Sequence, residues 1–181
     1  MRWNRIPLLA TLAFSFPAFA ALQPNAIPRE STKRFRSSGL YEGGSESRAN
    51  IESLRVALHP GFERWVIDFS DEVKRLGAVA PRFQLRYVKA EKIPLPDGTE
   101  FVRKPARFVF VFRSILKNSL TTARLRGLAK KSRYVKEIIL YPPIEKGDTA
   151  MEFILNDNVL FEPHQPVERE GRLVLDLKSR K

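Results

Sequence analysis

An arginine followed by five residues that alternate a bulky apolar side chain with valine or a charge occurs three times: RWVIDF at 64–69, RFVFVF at 107–112 and RLVLDL at 172–177. A period of two marks a β-strand with one covered face, because alternate side chains point to opposite sides of a sheet. Trp65, Ile67 and Phe69, then Phe108, Phe110 and Phe112, then Leu173, Leu175 and Leu177 therefore form core faces. Each such side chain contributes roughly 1.5 to 3 kcal/mol when fully buried. A polar residue in place of Phe110 or Leu175 is predicted to unfold the domain. The opposite faces carry Arg64, Val66 and Asp68; Arg107, Val109, Val111 and Arg113; and Arg172, Val174, Asp176 and Lys178. These are predicted to look toward solvent or a ligand.

The repetition extends to whole halves. IESLRVALHP (51–60) matches VKEIILYPPI (135–144), WVIDFSD (65–71) matches MEFILND (151–157), FQLRYV (83–88) matches NVLFEP (158–163), and RFVFVFRS (107–114) matches RLVLDLKS (172–179). Four strands in the same order, twice, read as an internal duplication. Eight short strands with one apolar face each are most economically packed as two antiparallel sheets face to face. The fold class is thus all-β: a pseudo-two-fold duplicated β-sandwich of two small antiparallel sheets, with at most one short helix. Half 1 spans about 51–114, a crossover 115–134 and half 2 about 135–179. Ser70 or Asp71 is placed to cap a helical turn over 70–76. The stretch 119–131 has Leu120, Ala123 and Leu128 at rough helical spacing, weakened by Gly127 and two threonines, and stays open between helix and loop.

Residues 1–20, MRWNRIPLLATLAFSFPAFA, have the layout of a secretory signal peptide: Arg2 and Arg5, an apolar run, and a small-x-small Ala18-Phe19-Ala20 ahead of cleavage. The apolar run is shorter than the ~20 residues a membrane span needs. Export predicts a periplasmic location. The chain has no cysteine, which excludes disulfides, thiolate metal sites and a lipid-modified cysteine anchor. Residues 21–50, rich in Pro, Ser, Gly and charge, read as a flexible leader, leaving a domain over 51–181. The formal net charge is +12, or +10 without Arg2 and Arg5. An excess of that size implies an anionic partner. Outside the inner membrane that means wall polymer, lipopolysaccharide, anionic lipid or an acidic protein. Nucleic acid is excluded by the leader and by the lack of an aromatic-basic RNA-module signature.

Catalytic chemistry has thin material. His59 and His164 occupy loosely corresponding turns, no Gly-x-Ser-x-Gly elbow exists, and two histidines with no recognisable third ligand do not make a metal site. Asp68 and Asp176 invite comparison with the carboxylate pair of a glycosidase. Each lies four residues after an arginine on the same strand face, which points instead to charge partners across neighbouring strands. No enzyme activity, cofactor or metal is expected. Cations are concentrated at Lys117, Arg124, Arg126, Lys130, Lys131, Arg133 and Lys136, with no acid between them. Arg124, Arg126 and Arg133 are the first candidates for holding a carboxylate or phosphate, because guanidinium binds such groups bidentately. Lys130 and Lys131 join them, and Arg64, Arg107 and Arg172 on the outward strand faces follow. For both groups the alternative of a solvated or ion-paired cation stays open.

The pattern Arg-apolar-Val-apolar-Asp-apolar, after an opening Ile-x-x-apolar-Arg-Val strand and a Pro-closed turn, resembles the AMIN domain, the amidase N-terminal module of bacterial cell envelopes. The residues that carry it are IESLRVALHPGFERWVIDFSD, VKEIILYPPI, MEFIL and GRLVLDLK, spread over about 51–179. Val111 stands where the family usually shows Asp, and KAEKIPLPDGTEFVRKPA (89–106) is an insert. The resemblance implies a pseudo-symmetric sandwich that binds peptidoglycan. With no further domain after Lys181, the expected function is a non-catalytic wall-binding module that localises itself or a partner at the envelope. Two alternatives remain: an adaptor that holds another envelope protein, such as a pilus, secretin or amidase component, by strand edges or the basic loop, and a carrier of lipid or lipopolysaccharide lined by the phenylalanine faces.

Overall fold

All three repeated stretches form strands. The computed structural model describes residues 35–73, 75, 80–143, 147–166 and 171–180. They form β1 (Gly39–Gly43), β2 (Ala49–His59), β3 (Phe62–Ser70), β4 (Phe83–Val88), β5 (Glu91–Pro94), β6 (Glu100–Lys104), β7 (Arg107–Phe112), β8 (Ile115–Asn118), α1 (Thr122–Ala129), β9 (Val135–Leu140), β10 (Thr149–Leu155), β11 (Val159–His164) and β12 (Arg172–Ser179). One sheet has the order β11-β12-β3-β2-β8, the other β1-β4-β7-β10-β9, and β5 pairs with β6 alone.

This order is the duplication made visible. Each sheet joins the first two strands of one half to the last two of the other, in the same sequence. Leu175 faces Trp65 in one sheet, and Phe110 faces Met151 at the matching place in the other. Leu54 faces Ile67, and Ile138 faces Phe153. The opening strands even share an irregularity. The ladder skips Glu52 on β2 and Lys136 on β9, residues that the sequence match aligns. Alternating apolar residues recur in any half-buried strand, whereas a bulge at one aligned site is specific to a shared backbone.

The third strands correct the sequence match. Phe112 is opposite Phe83, and its counterpart Leu177 is opposite Phe161, so Phe83 corresponds to Phe161 and not to Asn158. An odd slip of three would exchange the two faces of the strand. Burial of Val159, Phe161 and Pro163 fixes the observed register.

All nine residues assigned to the three core faces are buried. Aromatic rings meet across the sheets: Trp65 and Phe153 at 4.8 Å between centroids, Phe108 and Phe161 at 5.0 Å, Phe69 and Phe112 at 5.5 Å. These are ordinary tilted and edge contacts of a packed core.

Three further expectations change. The fold begins before residue 51: β1 pairs with β4, Tyr41, Ala49 and Asn50 are buried, and the backbone of Arg36 exchanges hydrogen bonds with Phe161. Composition misjudged this stretch because a five-residue edge strand needs one inward side chain, here Tyr41, and tolerates polar neighbours. The rest of the proposed leader and the signal-like segment 1–20 lie outside the described residues. The two sheets are not wholly antiparallel, since β8 runs parallel to β2. The outward strand faces are not open throughout, because Asp68, Val174 and Asp176 are buried. The insert at 89–106 makes the hairpin β5–β6, with Ile93 opposite Phe101 and both exposed. Asp71 accepts from the Arg75 backbone N–H at 2.8 Å, Ser70 ends β3, and the helical turn expected over 70–76 falls partly outside the described residues, which omit 74 and 76–79.

Candidate binding groove

The basic crossover is held in place at both ends. Thr121 caps α1, its hydroxyl accepting from the Arg124 N–H at 3.3 Å. Leu125 and Ala129, one turn apart, are buried and join the core. Beyond the helix, the Glu63 carboxylate accepts from Trp65 Nε1 at 2.7 Å, Ser132 Oγ at 2.6 Å and the Arg133 backbone N–H at 2.7 Å. Ser132 Oγ in turn accepts from the N–H groups of Tyr134 and Val135. Glu63 is fully buried and ties the exit of α1 to β3. Sequence reasoning overlooked it, although the signal was present: Glu63 falls on the inward phase shared by Trp65, Ile67 and Phe69, where an acid breaks the alternation.

So fixed, α1 leaves an open groove of about 470 Å³ between itself and β2. The strand contributes Leu54, Arg55 and Val56. Arg124, Gly127, Leu128 and Lys131 come from the helix and its last turn, at a spacing of three, one and three that puts them on one face. Three of the lining residues are cations and none is an acid. Arg124 and Lys131 are exposed and, among the described residues, make no ion pair. Arg55 spends part of its charge on Asp68, Nε to Oδ2 at 2.9 Å. A Cβ on Gly127 would meet nothing within 4 Å.

The structure therefore divides the predicted cluster. Arg124 and Lys131 line the groove. Arg126, Lys130 and Arg133 are exposed but do not line it.

The strand arginines have other occupations. Arg64 forms a two-point pair with Asp176, both contacts at 2.7 Å, and Arg172 Nε lies 2.7 Å from Asp68 Oδ1. In the β3·β12 ladder Arg64 is opposite Asp176 and Arg172 opposite Asp68, so each copy of the motif neutralises the other. The Asp176 hydrogen bond raises the Arg64 pKa further. Arg107 sits 3.9 Å from Glu152.

Burial pushes the Asp68 carboxyl up, but hydrogen bonds from Arg55 and Ser53, with the charges of Arg55 and Arg172, outweigh it and hold the group below the ordinary aspartate range. A general acid needs the opposite shift. Because the folded pKa is the lower one, this stabilisation is complete above the unfolded value of about 3.9 and is lost as pH falls through the folded value. Thermal melting is therefore expected to hold down to about pH 5 and to drop below about pH 4, with a shallower acid limb in Asp68→Asn.

His59 stacks on Phe62 at 4.8 Å in the β2–β3 turn, while His164 ends β11. Three strand spacings, roughly 14 Å, separate β2 from β11, too far for one metal. Among the described residues no group of three or more His, Asp or Glu is placed to hold a metal ion, and no helix is long and apolar enough to cross a membrane. No protein-family model matches the chain, and no curated protein matches it.

Proposed function

We propose that this protein is an AMIN-like, non-catalytic module that binds peptidoglycan in the periplasm after export, and that the α1–β2 groove is where the wall polymer sits. One observation carries the reading: Arg124 and Lys131 flank a groove of about 470 Å³ that also receives Arg55 and has no acid in its lining. Arg124 and Lys131, which pair with no carboxylate among the described residues, keep their attraction for an anionic polymer, whereas Arg55 shares its charge with Asp68. The duplicated sandwich and the signal-like leader support the same reading.

Co-sedimentation with purified sacculi tests it. Retention is expected and should weaken as salt rises through the range where the Debye length falls from about 10 Å to about 3 Å. Exposed charge contacts are worth about 0.2–1 kcal/mol each. Reversing Arg124 and Lys131 to glutamate removes two such attractions and adds repulsions of similar size, a cost on the order of 1–3 kcal/mol and so a ~5- to 150-fold loss of retention. Reversing Arg126 and Arg133, outside the groove, should cost less. Sacculi that leave the wild-type protein in the supernatant at low salt overturn the proposal.

The hairpin favours the adaptor as a second reading. Ile93 and Phe101 pair on one face of β5–β6 and are exposed, a small apolar surface suited to a protein partner. In that case Phe101→Ser removes partner binding and leaves sacculus retention unchanged. The carrier reading finds no support in the core, where the phenylalanine rings pack on one another.

A further inference from the structure

The groove has a floor that a charged patch alone does not need. β8 pairs with β2 at Ala49, Asn50 and Ile51, and the Ser119 N–H closes the pairing on the Ile51 carbonyl. β2 continues to His59, and over 53–59 its only strand partner among the described residues is β3. One edge of β2 is thus left open beside the groove, a stretch of roughly 20 Å. Strand edges with unpaired N–H and C=O groups accept an extended peptide as an added strand.

Gly127 points the same way. Glycine inside a helix is destabilising relative to alanine, and this one sits in an eight-residue helix with helical backbone angles that any residue adopts. A Cβ there would meet no atom of the protein, so internal packing does not call for glycine. Its missing side chain keeps the groove open between Arg124 and Lys131.

We infer that the groove takes the peptide part of the wall polymer: an extended, carboxylate-bearing peptide lies along the open edge of β2 and over Gly127, its carboxylates met by Arg124 and Lys131. The inference rests on the wall-binding reading and names the element recognised. The chemistry of the polymer selects it. Once the muramyl carboxyl is in amide linkage, the glycan backbone has no charge, and the carboxylates of peptidoglycan sit on its stem peptides. Val56 and Leu128 supply apolar contact for the peptide's methyl groups.

The test uses glycan strands immobilised on beads with their stem peptides intact, the same strands stripped of stems by an amidase with the lactyl carboxylates so freed re-capped as methylamides, and free stem peptide as competitor. Removal of the stems is expected to lower retention of the full protein at least tenfold, and free stem peptide to elute it from intact strands. Gly127→Leu, which fills the groove, should lower retention on intact strands at least tenfold with a melting temperature equal to or above that of the wild type. Equal retention on stripped and intact strands overturns the inference and leaves wall binding standing, as does undiminished retention of Gly127→Leu. Failure to bind either strand or whole sacculi removes both.

Discussion

Replacing Arg64 by alanine is expected to destabilise the domain by about 2–4 kcal/mol, somewhat below the cost of breaking a fully buried ion pair, because the Arg64 side chain is 30% exposed. Asp176 is fully buried, and its two carboxylate oxygens each accept from Arg64 at 2.7 Å. With the guanidinium gone, that charge loses its two-point partner and is rehydrated only from the side that Arg64 occupied. Arg64→Leu combined with Asp176→Leu should recover most of the loss, because an apolar pair of similar volume is often neutral or better in such a site. Urea unfolding followed by far-UV circular dichroism reads both variants. The pair also separates two roles for Arg64. A structural arginine costs stability and leaves sacculus retention of the folded fraction intact, whereas a ligand contact would do the reverse.

Glu63→Ala carries the second large effect. It leaves the Trp65 N–H, the Ser132 hydroxyl and the Arg133 N–H without their shared acceptor; the buried Trp65 donor costs about 1–3 kcal/mol and each of the two half-buried hydrogen bonds about 0.5–1.5 kcal/mol. The expected total is on the order of 2–6 kcal/mol, a large share of the roughly 5–15 kcal/mol that stabilises a domain. Glu63→Gln keeps an acceptor oxygen and should lose distinctly less. Since this carboxylate positions the end of α1, whatever Glu63→Ala protein remains folded should also bind sacculi more weakly. Stability lost with the groove affinity unchanged would show that the clasp does not shape the site.

The alternation in RWVIDF, RFVFVF and RLVLDL was enough to place the core, because a sheet with one buried face has no other way to sort its side chains. The pairing of whole halves was enough for the strand inventory and its two-fold repeat, but not for the sheet order, in which each sheet takes two strands from each half. What alternation could not supply was the register of the third strands: 158–163 alternates in either phase, and the choice is made by which ring reaches the opposite sheet, Phe161 on Phe108 and Tyr87. Nor could it show β1, whose hold on the fold is backbone pairing with β4 and a single tyrosine.

The site was legible as a run of cations and no further. Which cations act together depends on the helical phase of α1, and composition had left the crossover undecided between helix and loop. Once the helix is present, Arg124 and Lys131 fall on the groove side and Arg126, Lys130 and Arg133 do not. The groove's third cation, Arg55, comes from β2, some seventy residues earlier in the chain. The carboxylate pairs of Arg64 and Arg172 were foreshadowed by the four-residue spacing of Arg and Asp in each motif.

Amide chemical-shift perturbation by solubilised peptidoglycan fragments tests directly whether the α1–β2 groove holds the wall polymer. The predicted result is a compact set of shifted amides over 53–58 and 124–131, moving progressively with added fragment and quenched by salt. Shifts that cluster instead on the β5–β6 hairpin or on the β11 edge, with the groove amides unmoved, would contradict it.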